Sequence, residues 1–417
     1  MKFRYNFVRN CNDYGEFFAC HTLMQLVVDD ITIGINGELQ TGNHLTNISG
    51  FAIMLSFPIT ITATTQKGFP VMYFQIKRPT IKQVARKAGV SAQTVSRVIN
   101  DHPDVAAETR RRIQHVIDEL GYRPSALARS LIQQRSYTLG IVTAGLKYIG
   151  PSRTLNGITT KAEQLGYALL LKELPHFTVN DIQSLIQFLL ARHIDGLLWA
   201  VPEIGDNRDW VETGLKSIPV PTVFITMGSR PGFPIVSVDN CLGGILATQH
   251  LLELGRQHIG HISGPLEWWE ARQRKQGWQE ALQGAGRKIN EAHCVEGNWS
   301  ASSGETAFQR LLQSYPEMDA VFVANDQMAL AALRHANRRG LHIPQDLAVV
   351  GFDNIAESAY FYPSLTTVNQ NQHELGCQAV QELVNLIEAA YTGNQALEPR
   401  SILLAPELIV RDSSVVR

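Results

Sequence analysis

The stretch from Thr80, TIKQVARKAGVSAQTVSRVIND, constrains the fold more than any other part of the chain. Thr80 and Gln83 have the spacing of a capping box, so a helix is predicted to start at Ile81. Ile81, Val84, Ala85 and Ala88 follow at i, i+3, i+4 and i+7, which is one apolar helical face. Gly89 supplies the backbone freedom that a tight helix–helix turn needs. Ser91 is placed to cap a second helix whose inward side is Val95, Val98 and Ile99. A third helix is predicted over about Ala107 to Leu120, with Ile113, Val116, Ile117 and Leu120 inward. Three short helices around one shared core make a helix-turn-helix unit.

The outward residues of the second helix are Ala92, Gln93, Thr94, Ser96, Arg97 and Asn100. Gln pairs with adenine and Arg with guanine through two-pronged hydrogen bonds in the major groove, while Ser, Thr and Asn suit phosphates. These six residues, with the caps Thr80 and Ser91, are the candidate DNA contacts. From Arg78 to Leu131 the chain holds 10 Lys/Arg against 5 Asp/Glu, whereas the whole chain carries a net charge of −1. Positive charge concentrated on one small unit implies a polyanionic partner.

Together with TRRRIQHVIDELGYRPSALARSL, this stretch resembles the lactose-repressor (LacI/GalR) family of bacterial transcription factors. The motifs GPLEWWEARQRKQGW, EGNWSASSG, VANDQMALAALR, VVGFDN and YFYPSLTTVNQ extend the resemblance over roughly residues 78–413. The ligand-binding half is most similar to the lactose repressor. The resemblance implies a dimeric regulator that reads palindromic operator DNA and answers to a small-molecule sugar or glycoside. It implies no cofactor, metal or membrane association. The sign of the response, induction or co-repression, is written in no motif.

After Gly121-Tyr122-Arg123-Pro124 comes SALARSLIQQRS. Pro124 suits a first helical turn, and Ser125 to Leu131 is too short to hold as an isolated helix in water. The resemblance makes this the hinge helix, ordered on its symmetry mate and on DNA. Leu131 would wedge into the minor groove, with Ala128 and Arg129 beside it.

From Thr138 onward, short apolar runs alternate with amphipathic ones. TLGIVTA, ALLLKEL, DGLLWAV, TVFITM and PIVSVDN read as strands, as do HIGHISG, DAVFVAN and DLAVVGFD. Strand–helix alternation predicts parallel sheets, and two such blocks predict two doubly wound α/β lobes with a ligand at the strand ends between them. This is the bilobal periplasmic-binding-protein architecture that the resemblance implies. Crossovers between lobes are expected near residue 238, near Asn369 and near Arg400.

A sugar needs paired hydrogen bonds to its hydroxyls and a flat apolar surface to stack on. Arg274 follows the GPL strand end, Asn325 and Asp353 close strands, and the resemblance gives these three the hydroxyl clamp. It matches Trp299 to an aromatic that packs on the sugar and Gln370 to a further pocket residue. Tyr148 and Trp268 complete the candidate ligand contacts. Three positions depart from the lactose repressor. Thr226 and Ala200 replace an Asp and an Asn, and Gln372 replaces a Phe. Trp268 and Trp269 are additional indoles near Arg274. The clamp is kept and the other end of the pocket is altered, which argues against reading lactose as the ligand.

The first 71 residues differ from the rest. They lack helical periodicity, and between Arg9 and Lys67 there is no Lys or Arg. The favoured expectation is a mostly disordered upstream extension ending before Met72, and the alternative is a small β-rich domain, since ITIGING and ITITATT alternate as strands do. The apolar run Phe51 to Ala63 is too short to span a bilayer and lacks the basic flank of a secretory signal. The resulting division is 1–71 extension, 78–123 helix-turn-helix, 124–137 hinge and linker, and 138–413 sugar-binding and dimerisation core. Five scattered cysteines, Cys11, Cys20, Cys241, Cys294 and Cys377, form no CxxC and fit a reducing cytoplasm. No leucine heptad follows PELIVRDSS, so a dimer rather than a tetramer is expected. An enzyme is disfavoured, because no phosphate loop, HExxH or GxSxG elbow is present. A sugar-binding transport component would need an export signal and would not carry residues 80–131.

Overall fold

Thr80 opens the first helix of the N-terminal unit through a complete capping box: its backbone N–H donates to Gln83 Oε1 at 2.8 Å, and its hydroxyl accepts from the Gln83 N–H at 3.4 Å. In this computed structural model, residues 79–123, 135–174, 182–204, 207, 211, 218–393 and 398–415 are described, with the backbone of five further strands between residues 20 and 76. The chain divides into two units, residues 1–124 and 125–417.

In the first unit, α1 (Ile81–Ala88) ends at Gly89, whose φ of 65° is left-handed backbone that an L side chain resists. The turn leads to Ser91, the cap of α2 (Ala92–Ile99), and α3 (Ala107–Leu120) closes the bundle. Val84, Ala85, Ala88, Val95, Val98, Ile113 and Val116 form its core, with Ile81, Ile99, Ile117 and Leu120 packed around them. A Lys87–Glu119 ion pair ties α1 to α3 on the surface. The hinge expected at 125–131, with Ala128, Arg129 and Leu131, lies outside the described residues. Upstream, β1 (Cys20–Val28) pairs antiparallel with β2 (Ile31–Leu39). β3 (Ile53–Met54), β4 (Ile59–Gln66) and β5 (Phe69–Ile76) form a second antiparallel set. Strand backbone thus covers both alternating stretches within residues 1–71 and continues past Met72.

The second unit is built from two six-stranded sheets. In the first lobe, β6 (Thr138–Ala144), β7 (Ala168–Leu174), β8 (Gly196–Ala200), β9 (Thr222–Ile225) and β10 (Ile235–Val238) are joined by β16 (Ser401–Leu404), all parallel. The second lobe holds β11 (Ile259–Ser263), β12 (Cys294–Glu296), β13 (Ala320–Val323), β14 (Ala348–Phe352) and β15 (Thr366–Asn369), with β17 (Glu407–Ile409) antiparallel at the edge. Each sheet lies between two apolar layers, which is why its central strands, such as β8, β9, β13 and β14, read as hydrophobic runs. The helices are α4 (Ile149–Gln164), α5 (Ile182–Leu190), α6 (Asn240–Glu253), α7 (Trp269–Gly284), α8 (Ala301–Ser314), α9 (Asp326–Arg338) and α10 (Gln372–Thr392). The chain crosses between lobes after Val238, after Asn369 and between Leu404 and Glu407.

Candidate ligand cavity and nucleic-acid interface

On α2, Val95 and Val98 are buried while Gln93, Arg97 and Asn100 are exposed, so the hydrogen-bonding residues form an outer face on a rigid helix. Ala92, Thr94 and Ser96 are half-buried between them. Two of the small polar groups are already engaged: Ser91 Oγ accepts from the Thr94 N–H at 3.1 Å and lies 2.9 Å from Thr94 Oγ1. Gln93 and Arg97, four residues apart, are the long forked side chains on this face.

The second unit contains a cavity of about 590 Å³ between its lobes. All seven expected ligand contacts, Tyr148, Trp268, Arg274, Trp299, Asn325, Asp353 and Gln370, line it. Arg274 is held from several sides. Its Nε donates to Asn240 Oδ1 at 2.9 Å, its Nη1 donates to the Ala324 carbonyl, and the same nitrogen lies 3.7 Å from Asp353 Oδ1. The guanidinium also stacks 3.9 Å above the Phe352 ring. This grip depends on how closely α6 approaches α7. A Cβ on Gly244 would sit 2.4 Å from the Arg274 carbonyl oxygen, and one on Gly277 would sit 2.1 Å from that of Cys241.

Asp353 follows β14 at a φ of 111°, and Gln370 Nε2 donates to its Oδ1. Burial pushes its carboxyl up to about 6, against the pull of Arg274. Burial likewise weighs against the charge on Arg274, so desolvation outweighs the attraction between the two groups. Arg153 of α4 reaches across from the first lobe and donates to the carbonyls of Asp353 and Asn354 at 3.1 and 3.2 Å. Asn325 caps α9, accepting from the Met328 N–H at 3.0 Å, and its Nδ2 donates to the Trp299 carbonyl at 2.9 Å. It therefore fixes the backbone of Trp299, which stands at a φ of 73°. Tyr148, Trp268 and Trp299 meet edge-to-face, with ring centroids 5.7 and 5.9 Å apart.

Residues 80–125 match the bacterial regulatory proteins of the lacI family, and residues 248–414 match the periplasmic binding protein-like domain. The lactose operon repressor of Escherichia coli (strain K12) is 33% identical over 336 residues, which is 79% of this chain and 92% of that protein. The chain belongs to the lacI family of bacterial regulatory proteins. Among solved structures, a lac repressor dimer bound to operator and the anti-inducer ONPF matches with a TM-score of 0.73 at 32% identity, covering 82% of this chain and all of that one. A transcriptional regulator CelR–cellobiose complex matches with a TM-score of 0.60 at 32% identity, covering 81% of this chain and all of that one. This lacI-family protein is a DNA-binding transcriptional regulator, not an enzyme, and its α/β core resembles that of the lac repressor. Among the described residues, no helix is long and apolar enough to cross a membrane.

The lacI-family cavity also holds residues that the sequence reading passed over. Asn240, Glu270 and Gln327 line it, as does Lys147. Glu270 and Arg274 share one face of α7 at i, i+4 spacing, a signal present in the sequence that reads equally well as a surface ion pair. The departures Ala200, Thr226 and Gln372 all stand in the wall. The two additional indoles separate: Trp268 lines the cavity, whereas Trp269 lies outside it against Gly228.

Proposed function

We propose that this regulator is a homodimeric repressor of carbohydrate-utilisation genes, released from a palindromic operator when a neutral sugar or glycoside fills the interlobe cavity. The convergence of Arg274, Asp353 and Gln370 with the Tyr148–Trp268–Trp299 aromatic group in one interlobe cavity carries this reading. A charged hydroxyl clamp beside flat apolar rings is the chemistry a pyranoside asks for. The dimer reading follows the operator-bound lac repressor dimer, and the sugar reading follows the cellobiose complex, both of which share this core. Two-fold protein symmetry is what a palindromic site requires.

In this reading Gln93 and Arg97 contact base edges, while Thr80, Ser91, Ala92, Thr94, Ser96 and Asn100 contact or pack on the backbone. Ala128, Arg129 and Leu131 act at the minor groove through the hinge. The working domains are 78–123, 124–137 and 138–413, and the site of action is the cytoplasm, where the DNA is. Residues 1–71 are dispensable, because the family match starts at residue 80. A chain starting at Met72 is expected to bind operator as the full chain does, and loss of solubility or of operator binding contradicts this.

The deciding experiment is a thermal-shift panel of cellobiose, lactose and nitrophenyl glycosides, since ligand that binds the folded state raises its midpoint. Sugars that shift it are then titrated into an operator gel-shift assay. Weaker operator binding supports the inducer reading, and tighter binding makes the ligand a co-repressor. No shift with any glycoside sinks the sugar reading.

A further inference from the structure

Four buried side-chain atoms without a hydrogen-bond partner among the described residues belong to the walls of the interlobe cavity: Glu270 Oε2, Gln327 Oε1, Gln372 Nε2 and Trp299 Nε1. Buried polar groups are normally satisfied, and each bare one costs the folded protein its desolvation. A ligand whose polar groups reach these atoms would offset that cost. The four atoms also say what kind of ligand. Gln372 Nε2 and Trp299 Nε1 donate, while Gln327 Oε1 and the Glu270 carboxylate accept. A hydroxyl both donates and accepts, so a chain of hydroxyls answers all four. A cation would serve the acceptors and leave both donors bare. An anion would meet the Glu270 carboxylate.

Building on the glycoside reading above, we infer that Glu270 is the specificity-determining acceptor of this cavity, taking hydrogen bonds from hydroxyls of a neutral glycoside and excluding anionic sugars such as uronides and sugar phosphates. Glu270 is only 8% exposed, in the first turn of α7, one helical turn before Arg274. Arg274 is committed to Asn240, Ala324 and Asp353, and no ion pair joins it to Glu270 among the described residues. One carboxylate oxygen, Oε2, is therefore left buried in the cavity wall without a hydrogen-bond partner among the described residues. Gln372 stands at the start of α10, which packs on the first lobe, whereas Glu270 and Trp299 belong to the second. A ligand bonded to both bridges the lobes. Burial pushes the Glu270 carboxyl up to about 7, with a hydrogen bond from its own backbone N–H and the charges of Arg274 and Arg272 on its own helix favouring the charged form and Glu203 opposing it. Hydroxyl donors would replace the solvation this carboxylate has lost.

The test compares the full wild-type chain with Glu270→Gln in two measurements. Calorimetric titration uses o-nitrophenyl galactoside, cellobiose and a nitrophenyl glucuronide, and thermal unfolding is recorded without ligand. The wild type should bind a neutral glycoside and reject the glucuronide. Glu270→Gln should lose about tenfold or more in affinity for that neutral glycoside, begin to accept the glucuronide, and melt higher without ligand, since the charge of a buried carboxyl with one unpartnered oxygen is gone. A variant that binds the neutral glycoside as the wild type does, or still rejects the glucuronide, overturns the inference while leaving the glycoside reading intact. A lower ligand-free midpoint also overturns it, because Glu270 would then be a structural acid. If the wild type binds no neutral glycoside, the glycoside reading fails and the role of Glu270 fails with it.

Discussion

The outer face of α2 and the interlobe cavity carry their chemistry in opposite ways. On α2 the base-reading groups are exposed and solvated, and the helix is held from behind by Val95 and Val98. In the cavity the polar groups are buried, with Arg274 5% and Asp353 8% exposed, and several are unpartnered. A solvated reading group places little demand on the fold. A buried one costs stability until a partner arrives, and that stored cost is what makes its site selective. The same difference sets how each responds to substitution.

The largest effect is expected at Arg274. Arg274→Ala removes the partner of Asn240, of the Ala324 carbonyl and of Asp353 together. Breaking a buried charged contact of this kind costs about 3–5 kcal/mol, so effector binding should fall beyond detection in a calorimetric titration and the core should melt lower. Retained glycoside affinity would break the contrast by showing the cavity to be as tolerant as a surface.

At Arg97 the expected cost is smaller. Arg97→Ala and Gln93→Ala should each weaken cognate operator binding by about 1–3 kcal/mol and relax preference at particular base pairs. Thr94→Ala and Asn100→Ala should weaken binding evenly across sequences. Fluorescence anisotropy on an operator series with single base changes reads both patterns. An unchanged preference in Arg97→Ala would mean that another face of α2 reads the bases.

The pH dependence of Glu270 sharpens the contrast from the buried side. Its carboxyl is raised from the ordinary 4.5 to about 7, chiefly by burial, so the folded chain holds a proton that the unfolded chain has released. The resulting stability is fully present below the unfolded value and is lost as pH rises through the folded one. The gap in melting temperature between Glu270→Gln and the wild type should therefore widen from about pH 5.5 to about pH 8. A gap independent of pH would show that the carboxyl titrates normally.

The smallest effect is expected at the cap of α1. Thr80→Ala removes the side-chain half of the capping box and should destabilise the helical unit by about 1 kcal/mol, seen in denaturant unfolding of the full chain as a shift of its first transition. No shift would mean that the core of this unit, not its cap, sets the start of α1.

The helix-turn-helix unit was legible almost residue by residue. Its signals are local: a cap and its partner lie three residues apart, Gly89 sits where the turn needs φ of 65°, and the apolar face repeats within one helix. The parallel strands were legible for a similar reason, since burial on both faces leaves unbroken apolar runs such as TLGIVTA and AVVGF. α10 was not read as a helix from its pattern, and the last crossover falls after Leu404, later than expected. Both lie where the chain changes lobes, and the choice of lobe is made by packing against α4 and the first sheet.

In the cavity, residue types at strand ends were legible, and the resemblance named seven that the fold gathers into one wall. Their bonding was not. Asn325 divides its side chain between the start of α9 and the Trp299 carbonyl, and Gln370 lies on Asp353. Glu270 gave no sign of being a buried acid with an unpartnered oxygen, because its surroundings come from segments far apart in the chain.

The sequence by itself determined the helical reading unit, the alternation that makes two doubly wound lobes, and the chemical kinds of residue available at the strand ends. Those properties depend on neighbours within a few positions, where backbone geometry and apolar period act directly. Only the tertiary structure decided which polar groups are satisfied and which are left buried without a partner. Partnership and desolvation depend on distances between residues such as Asn240, Arg274 and Asp353, which no local period fixes.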